Sequence, residues 1–353
     1  MSNDKDMHRA AGVAGKVLKT AVPIAVSAGL VAWLFHKVDF RQVMQIVSEG
    51  VDYRYIAVMM LLTVLSQVIR GIRWGIQLRA VGIPRMPVTA ECVSIFGAYA
   101  LNLIFQYLGE AWRCVYVSRR QNARLSTVVG TDIGDRASDG VMIGLLILVA
   151  MYAAGPYLDR FMDNYPLGKD IQHCLTDGTV WAWALAAIAA LAIAARIWRH
   201  TPFMQGVWKS ASRIAAGFAS LIHLKGDTWL YIVMTLGIWA CYFLETYSCF
   251  WAFPFTRELT SHPGYAMGLL PGLVVFVFGA CSMAVPSSGG LGAWNLAVMF
   301  ALSLFGVSES DGAAYSVVCW GFQAATYIAL GIFSAVYIMC SRHKKPRQPA
   351  AAG

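Results

Sequence analysis

Long apolar runs alternate with short polar segments along most of the chain. A helix needs about 20 mostly apolar residues to cross the hydrocarbon core of a bilayer. Uninterrupted runs of this kind lie at 18–36, 54–78, 126–154, 179–198, 228–252 and 313–340. The pattern predicts an all-α fold, that of a polytopic helical membrane protein.

Two further apolar regions are longer and are interrupted by polar or glycine-rich sequence. Residues 89–117 run apolar, are polar at Asn102 and Gln106, and then reach Gly109-Glu110. Residues 265–307 place two apolar arms around the segment 286–292. We interpret both as broken or re-entrant helical hairpins, which gives about eight spanning segments in total. Transporters built from inverted repeats have broken helices that meet near the bilayer midplane. An inverted repeat is therefore a hypothesis for this chain.

Charged residues are scarce and unevenly distributed. Only 13% of the 353 residues are charged, against roughly a quarter in soluble domains. Lys and Arg concentrate in the polar segments that an inside location of both termini would leave in the cytoplasm. On this orientation 89–117 opens inward and 265–307 opens outward. The net charge of +9 indicates binding to anionic membrane lipids and no nucleic-acid partner, because no basic stripe lies on a soluble domain.

The expected organisation is one membrane domain with short polar ends. Residues 1–17 form a cytoplasmic N-terminal segment, and 18–340 form the membrane domain. Within it, 203–224 mixes Lys and Arg with apolar residues at helical spacing, which predicts an amphipathic cytoplasmic helix. The basic tail 341–353 is predicted to be disordered. The oligomeric state stays open, with a dimer as one option.

Ionisable residues inside apolar runs are costly and mark functional sites. Arg70 and Arg73 share one helix face near a helix end. Two interpretations remain open for them: snorkelling to lipid phosphates and capture of an anionic headgroup. Glu245 is a lone acid within 228–252. It has either a hydrogen-bonded structural role or a place in the lining of a site.

Two more clusters of charge fall in neighbouring regions. Glu110 and Arg113 are three residues apart and can pair, and Gly109 permits a helix break whose freed backbone groups line a cavity. The other cluster occupies one face of the helix at 126–154 and needs partners from another helix, for which Arg70, Arg73 or Arg113 are available. It is either a structural ion cluster or a substrate or proton pathway. Its members are Asp132, Asp135, Arg136 and Asp139.

A proline- and glycine-rich segment interrupts 265–307, and it reads Pro286-Ser287-Ser288-Gly289-Gly290-Leu291-Gly292-Ala293-Trp294-Asn295. Proline and glycine cannot continue a stable helix here. A helix that resumes near Ala293 would direct its N-terminal N–H groups at a cavity, where they favour an anion. A plain hairpin turn is the alternative.

Taken in order, these motifs resemble the transmembrane region of lysylphosphatidylglycerol synthases and their stand-alone flippase-like relatives, over roughly residues 15–340. The matching motifs are Arg70-Gly71-Ile72-Arg73-Trp74, Gly97…Asn102…Gly109-Glu110-x2-Arg113, Asp135-Arg136-x2-Asp139 and Pro286…Gly292. The chain departs from the family pattern at Phe105, Tyr107, Asp135, Ser288 and Asn295. The loss of an Arg and a Glu leaves the substrate open. We expect no aminoacyl-transfer domain and therefore no lipid aminoacylation.

The resemblance implies a flippase-like transporter of the bacterial cytoplasmic membrane that moves a polar-headed phospholipid or glycolipid between leaflets. No enzymatic activity, cofactor or metal is expected. The residues expected to contact the substrate are Arg70, Arg73, Asn102, Glu110, Arg113, Asp135, Arg136, Asp139, Glu245, Pro286, Gly289, Gly290, Gly292 and Asn295.

Three alternatives remain. A secondary transporter of a small solute or ion would use the same buried charges but needs a narrow, closed cavity. A membrane-embedded transferase acting on a lipid carrier would use a metal-binding Asp-x2-Asp pair, a spacing that Asp132 and Asp135 have. The third alternative is an accessory subunit without transport.

Overall fold

The computed structural model describes residues 50–104, 107–164, 224–285 and 287–342, together with Ser48 and Ala182. The predicted span 18–36, most of the span 179–198, and the segments 1–17, 203–223 and 343–353 lie outside the described residues. In the described part the chain forms α-helices and short 3-10 turns, with no strand. The α-helices are α1 (Tyr53–Ala80), α2 (Val88–Asn102), α3 (Leu108–Arg120), α4 (Leu125–Asn164), α5 (Thr228–Ala252), α6 (Pro254–Ser261), α7 (Leu269–Ser282), α8 (Ala293–Ser303) and α9 (Glu309–Arg342).

Four of these helices are long and apolar enough to cross a membrane: α1, α4, α5 and α9. They confirm the predicted runs at 54–78, 126–154, 228–252 and 313–340. The start of α1 is fixed by Asp52, whose carboxylate accepts hydrogen bonds from the Arg54 backbone N–H at 3.2 Å and from the Arg54 guanidinium. This side chain caps N–H groups that have no partner within the helix. The protein is an all-α polytopic membrane protein.

The region 89–117 is a broken helix, as predicted, and α2 and α3 form its two arms. They are about 22 and 20 Å long at 1.5 Å per residue, too short for each to cross a core about 30 Å thick. Tyr107 turns the chain between them in the left-handed conformation, with φ 64°. Gly109 lies so close to Ala98 that a Cβ there would overlap its backbone. We call this pair of helices hairpin 1.

The region 265–307 forms a second antiparallel pair, hairpin 2, from α7 and α8. Tyr265 meets Phe305 at its base, with ring centroids 5.3 Å apart, and Phe278 meets Phe300 farther in, at 5.5 Å. A short 3-10 turn, Ser288–Gly290, lies between the two arms. Hairpin 2 is also too short to span twice, since α7 and α8 are about 21 and 17 Å long.

The two hairpins open toward opposite ends of the helix bundle. Hairpin 1 begins beside the last turns of α1 and α9, because Arg79 pairs with Glu91 at 3.4 Å and Thr89 contacts Tyr337 at 3.2 Å. This is the basic end of the bundle, which also carries Arg119 and Arg120.

Hairpin 2 begins at the other end. There the Asp52 N–H donates to the Ala252 carbonyl at 2.8 Å, and the Tyr247 hydroxyl donates to the Met267 carbonyl at 2.9 Å. We call this the opposite end. Hairpin 1 therefore enters the bundle from the basic end and hairpin 2 from the opposite end, and both turn back inside it.

The tips of the hairpins meet within the bundle. A Cβ built on Gly289 would lie 3.1 Å from the Cα of Leu103 in the tip of hairpin 1. The Trp320 indole N–H of α9 donates to the Gly289 carbonyl at 3.0 Å and fixes the tip of hairpin 2. The sequence predicted hairpins that open to opposite faces, and the described residues confirm it.

Two apolar clusters flank the level at which the hairpins meet. The cluster at the opposite end packs Phe250, Phe253, Leu302 and Tyr315 together. The cluster at the basic end is centred on Trp74 and its neighbours in α2, α3 and α4. Lipid tails are as apolar as leucine, so these clusters stabilise the bundle by close packing rather than by exclusion of water. The polar groups lie between them.

Candidate functional site

A cluster of paired charges is buried where α1, α3 and α4 meet. We call it the arginine–aspartate cluster. Its members are Arg70, Arg73, Arg113, Asp132, Asp135 and Asp139.

Two arginines of α1 hold two carboxylates of α4. The Arg73 Nη2 lies 2.6 Å from the Asp135 Oδ1 and 2.9 Å from the Asp139 Oδ1. The Arg70 Nη1 lies 2.7 Å from the Asp139 Oδ2 and 3.5 Å from the Asp135 Oδ2. The three-residue spacing in α1 and the four-residue spacing in α4 place each pair on one helix face. The two faces therefore meet as a charge-complementary surface.

Arg113 brings hairpin 1 into the same cluster. Its Nε donates to the Asp132 Oδ1 at 2.6 Å. Its Nη2 contacts the same oxygen and lies 3.5 Å from the Asp135 Oδ2. The guanidinium also lies over the Trp74 ring, 4.5 Å from the centroid. The Trp74 indole N–H donates to Thr131 at 3.2 Å, which holds the ring in place. Arg113 thus fixes α3 against α1 and α4.

The cluster contains three guanidinium groups and three carboxylates, so its formal charges balance. No member is more than 8% exposed. Charges at this depth are tolerated because they are paired, and removal of one partner leaves an uncompensated buried charge. Snorkelling of Arg70 and Arg73 to the lipid phosphates, one of the two interpretations from sequence, is therefore wrong. The carboxylates of α4 find the arginine partners that the sequence offered.

A second pair, Glu110 with Arg136, lies beside the cluster. The Arg136 Nη2 contacts the Glu110 Oε1, and this oxygen also accepts from the Asn102 Nδ2 at 3.1 Å. The Asn102 Oδ1 in turn accepts from the Gly109 N–H at 2.8 Å, across the break of hairpin 1. Pairing of Glu110 with Arg113 within α3 is a wrong prediction, because Arg113 faces α4 and is bound by Asp132.

Arg136 differs from the other arginines because its side chain is 42% exposed. It lies about 16 Å along α4 from the basic end, close to half of a bilayer core. Ile133 and Gly140, on the same face of α4, are also exposed. A Cβ at Gly140 or Gly144 would meet no atom of the described residues within 4 Å. We call this face of α4 the open stripe, and in the described part of the chain it leaves the site open sideways at Arg136.

The tip of hairpin 2 repeats the arrangement of the tip of hairpin 1. The Asn295 Oδ1 accepts from the Gly292 N–H at 3.1 Å, at the N-terminus of α8. The Asn295 Nδ2 is buried and has no hydrogen-bond partner among the described residues. Gly289, Gly290 and Gly292 all have positive φ, at 59°, 76° and 85°.

Helix α8 begins at Ala293, as predicted. Pro286 lies outside the described residues. The anion site expected at this helix N-terminus stays a prediction. One of its N–H groups, that of Gly292, already donates to Asn295.

Glu245 is buried at the meeting point of α1, α5 and α9. Its Oε1 lies 3.2 Å from the Ser66 Oγ, and its Oε2 accepts from the Gln323 Nε2 at 3.1 Å. Tyr242, one turn earlier in α5, accepts from the Arg70 Nε at 3.2 Å. Glu245 is thus connected to the arginine–aspartate cluster through α1 rather than placed within it.

Several polar residues of the site went unnoticed in the sequence. Gln67 lies near Tyr242, Thr235 accepts from Arg73, and Gln77 donates to Tyr231. The sequence contains a pattern that could have revealed them, because polar residues recur every three or four positions on one face of α1. Those residues are Thr63, Ser66, Gln67, Arg70, Arg73 and Gln77.

The arrangement is that of a membrane protein whose buried arginines are paired with carboxylates. A comparison with curated proteins and one with solved structures give no match. The family model described as Lysylphosphatidylglycerol synthase TM region matches residues 20–331, from before α1 into α9. This match includes both hairpins and every charged residue of the site. The chain therefore belongs to the lysylphosphatidylglycerol synthase TM region family.

Proposed function

We propose that this membrane protein moves a lipid with a phosphate- or sugar-bearing headgroup between the leaflets of the cytoplasmic membrane. The observation that carries the proposal is the half-exposed guanidinium of Arg136, at mid-depth on the open stripe. Charged residues inside a membrane face a cavity or a partner, and among the described residues Arg136 has an ion-pair partner on one side only.

The guanidinium of Arg136 offers a site for an anionic headgroup. Arginine presents several donors in a planar fork that matches phosphate geometry. A headgroup that arrives from the side can replace Glu110 at this fork. Glu110 keeps its hydrogen bond from Asn102, and its Oε2 is buried without a partner among the described residues. Arg136 can therefore exchange one anionic partner for another, and the Glu110 carboxylate keeps one hydrogen bond when it does.

The arginine–aspartate cluster supports this site from behind. Its guanidinium groups are buried and bound to carboxylates, so their role in the proposal is to hold α1, α3 and α4 in register. Direct contact of Arg70, Arg73 and Arg113 with a substrate phosphate stays a prediction from sequence. Arg136 is the arginine of the described site with exposed surface to offer.

The sideways opening favours a lipid over a small solute. A lipid keeps its acyl chains in the bilayer while its headgroup crosses, so its path must be open to the membrane. A solute carrier needs a path closed to lipid. The open stripe, with Arg136 between Ile133 and Gly140, supports the first arrangement.

A transferase on a lipid carrier is less well supported. That chemistry needs free carboxylates to hold a metal ion. Asp132 is bound by Arg113, and Asp135 contacts Arg70, Arg73 and Arg113. We propose that the protein is not an enzyme and that the basic end faces the cytoplasm, where anionic lipids attract it.

Reconstitution in liposomes tests the function. Headgroup-labelled anionic, zwitterionic and sugar-bearing lipids are scored for leaflet exchange with a membrane-impermeant quencher. We expect exchange by the wild-type protein and a roughly 10- to 100-fold slower rate for Arg136→Ala, the effect of losing a charged hydrogen bond. Arg136→Lys keeps the charge without the fork and should be intermediate.

Arg120→Ala is the matched control, because Arg120 is an exposed arginine at the basic end. Equal rates for wild type and Arg136→Ala with every lipid would refute the proposal. A chemically altered lipid after incubation would instead support a transferase.

A further inference from the structure

Glu245 is a buried acid whose charge the described structure does not balance. Its side chain lies in α5 and is 5% exposed. Every other buried acid of the bundle core has an arginine partner, whereas among the described residues Glu245 forms no ion pair. An ionised carboxylate is strongly disfavoured in such a place.

The hydrogen bonds around Glu245 show where a proton is needed. The Ser66 hydroxyl lies 2.8 Å from the Thr63 carbonyl and 3.2 Å from the Glu245 Oε1. A hydroxyl carries one proton and two lone pairs. The shorter contact uses the proton of Ser66, so the contact with Glu245 requires a hydrogen from the carboxyl group. The hydroxyl proton of Thr63 is also in use, because this hydroxyl donates to the Met59 carbonyl at 3.0 Å. Thr63 therefore has no hydrogen to donate to Glu245.

The other carboxyl oxygen has the opposite requirement. The Glu245 Oε2 accepts from the Gln323 Nε2 of α9 at 3.1 Å. A neutral carboxyl group has one O–H donor and one carbonyl acceptor, which fits this asymmetric environment. The proton then lies on Oε1, between Glu245 and Ser66.

A chain of polar contacts connects Glu245 with the arginine–aspartate cluster. The Gln67 Nε2 lies 3.5 Å from both the Ser66 Oγ and the Tyr242 hydroxyl. Tyr242 accepts from the Arg70 Nε at 3.2 Å, and Arg70 holds Asp139 of α4. A change of charge at Glu245 therefore acts, through Tyr242 and Arg70, on α4, the helix that carries Arg136.

The surroundings contain few other groups that titrate. Those that face Glu245 are Cys241 and Tyr242 on α5 itself and Tyr327 on α9. The nearest cation along the chain of contacts is Arg70 on α1. Helix α7 meets α5 through aromatic contacts of Phe276 with Trp239 and Phe243.

We propose that Glu245 is a proton-binding site inside the membrane and that its proton is coupled to lipid movement. The coupling rests on the function proposed above; the proton site does not. The carboxylate takes its proton from the aqueous phase and becomes a neutral acid that donates to Ser66. Release returns the proton to water and leaves an anionic Glu245. This anion attracts the guanidinium of Arg70, which is bound to Tyr242.

Infrared difference spectroscopy of the purified full-length protein tests the proton site directly. We expect a carbonyl band of a protonated carboxyl group that disappears in alkaline buffer and is lost in Glu245→Gln. Gln323→Leu should keep the band but shift it to higher frequency, because the hydrogen bond to Oε2 is gone. Glu110 is the other acid of the site that lies outside the arginine–aspartate cluster, and Glu110→Gln should leave the band unchanged. A band that Glu245→Gln does not alter would overturn the proton site, and Gln323→Leu covers the case in which Glu245→Gln fails to fold.

Liposomes with an imposed pH gradient test the coupling, in sodium-free buffer. With one proton per lipid, a gradient of one pH unit shifts the steady-state leaflet distribution by up to about tenfold. Glu245→Gln should still exchange lipid but without any response to the gradient. Lipid exchange by the wild type that ignores the gradient would overturn the coupling. No exchange by the wild type under any condition would refute the proposed function, and the infrared band would still decide the proton site.

Discussion

The backbone of Leu103, in the tip of hairpin 1, lies against Gly289 in the tip of hairpin 2. A Cβ on Gly289 would lie 3.0 Å from the Leu103 Cδ2 and 3.1 Å from its Cα. Neither hairpin reaches across the bundle alone, so the two hairpins meet inside it at this contact. Under the function proposed above, a headgroup passes this level either when the tips part or along the open stripe.

Gly289→Ala should disturb the tip contact. Gly289 has φ 59°, whereas Gly306 has φ 82° and a Cβ added there would meet no atom of the described residues within 4 Å. Both substitutions cost about 1–2 kcal/mol for the left-handed backbone, but only the one at Gly289 also forces Leu103 to move. We expect a larger loss of thermal stability in detergent for Gly289→Ala than for Gly306→Ala. Equal losses would show that the tips do not press on each other.

The interruptions of the helices could be predicted from sequence, because they follow from local chemistry. Proline, glycine and polar residues within apolar runs mark the breaks near 102–109 and 286–292, and both hairpins form there. The carboxylate face of α4 was visible as well, since helical periodicity places Asp132, Asp135 and Asp139 together.

The choice of partner could not be predicted in the same way. Glu110 and Arg113 have a spacing that permits a pair, yet Arg113 is bound by Asp132 and Glu110 by Arg136. Sequence spacing shows which residues share a face of one helix, but the packing of neighbouring helices decides which charge is nearer. The environment of Glu245 had the same limit, because Ser66 and Gln323 come from helices far away in sequence.

Exchange of the two charges of the Glu110–Arg136 pair separates its structural role from its binding role. In Glu110→Arg with Arg136→Glu, opposite charges still face each other between α3 and α4, so thermal stability should return to within about 1 kcal/mol of wild type. The exposed position on α4 is then acidic, and exchange of anionic lipids should stay as slow as in Arg136→Ala. The measurements are thermal unfolding in detergent and leaflet exchange in liposomes. Full recovery of exchange in the double variant would mean that the pair only holds the helices together.

Accessibility of engineered cysteines tests the orientation that we propose. Arg119 and Glu258 are exposed at the basic end and the opposite end, respectively. In a background with Cys174, Cys281 and Cys340 replaced by serine, Glu258→Cys should react with a membrane-impermeant maleimide in intact cells. Arg119→Cys should react only after the cells are broken. The reverse pattern would place the basic end outside.

Asp135 should be the most sensitive carboxylate of the arginine–aspartate cluster. Its two oxygens contact Arg70, Arg73 and Arg113, and it is fully buried. Asp135→Asn leaves three guanidinium groups with two carboxylates, a change that costs about 3–5 kcal/mol for a buried pair. Asp227→Asn, at an exposed position, should stay within about 0.5 kcal/mol of wild type. Unfolding of the purified proteins in detergent measures the difference.

The pair Arg113 with Asp132 allows the same idea to be tested by removal of both charges. Arg113→Met or Asp132→Leu alone leaves one buried charge without its partner, whereas the double variant removes both. A buried pair replaced by apolar residues is often tolerated, so the double variant should unfold at a higher temperature than either single variant. Arg113 also lies over Trp74, and methionine keeps an apolar contact with that ring. Losses that simply add in the double variant would show that the two charges do not depend on each other, and the cluster would then need a partner beyond the described residues.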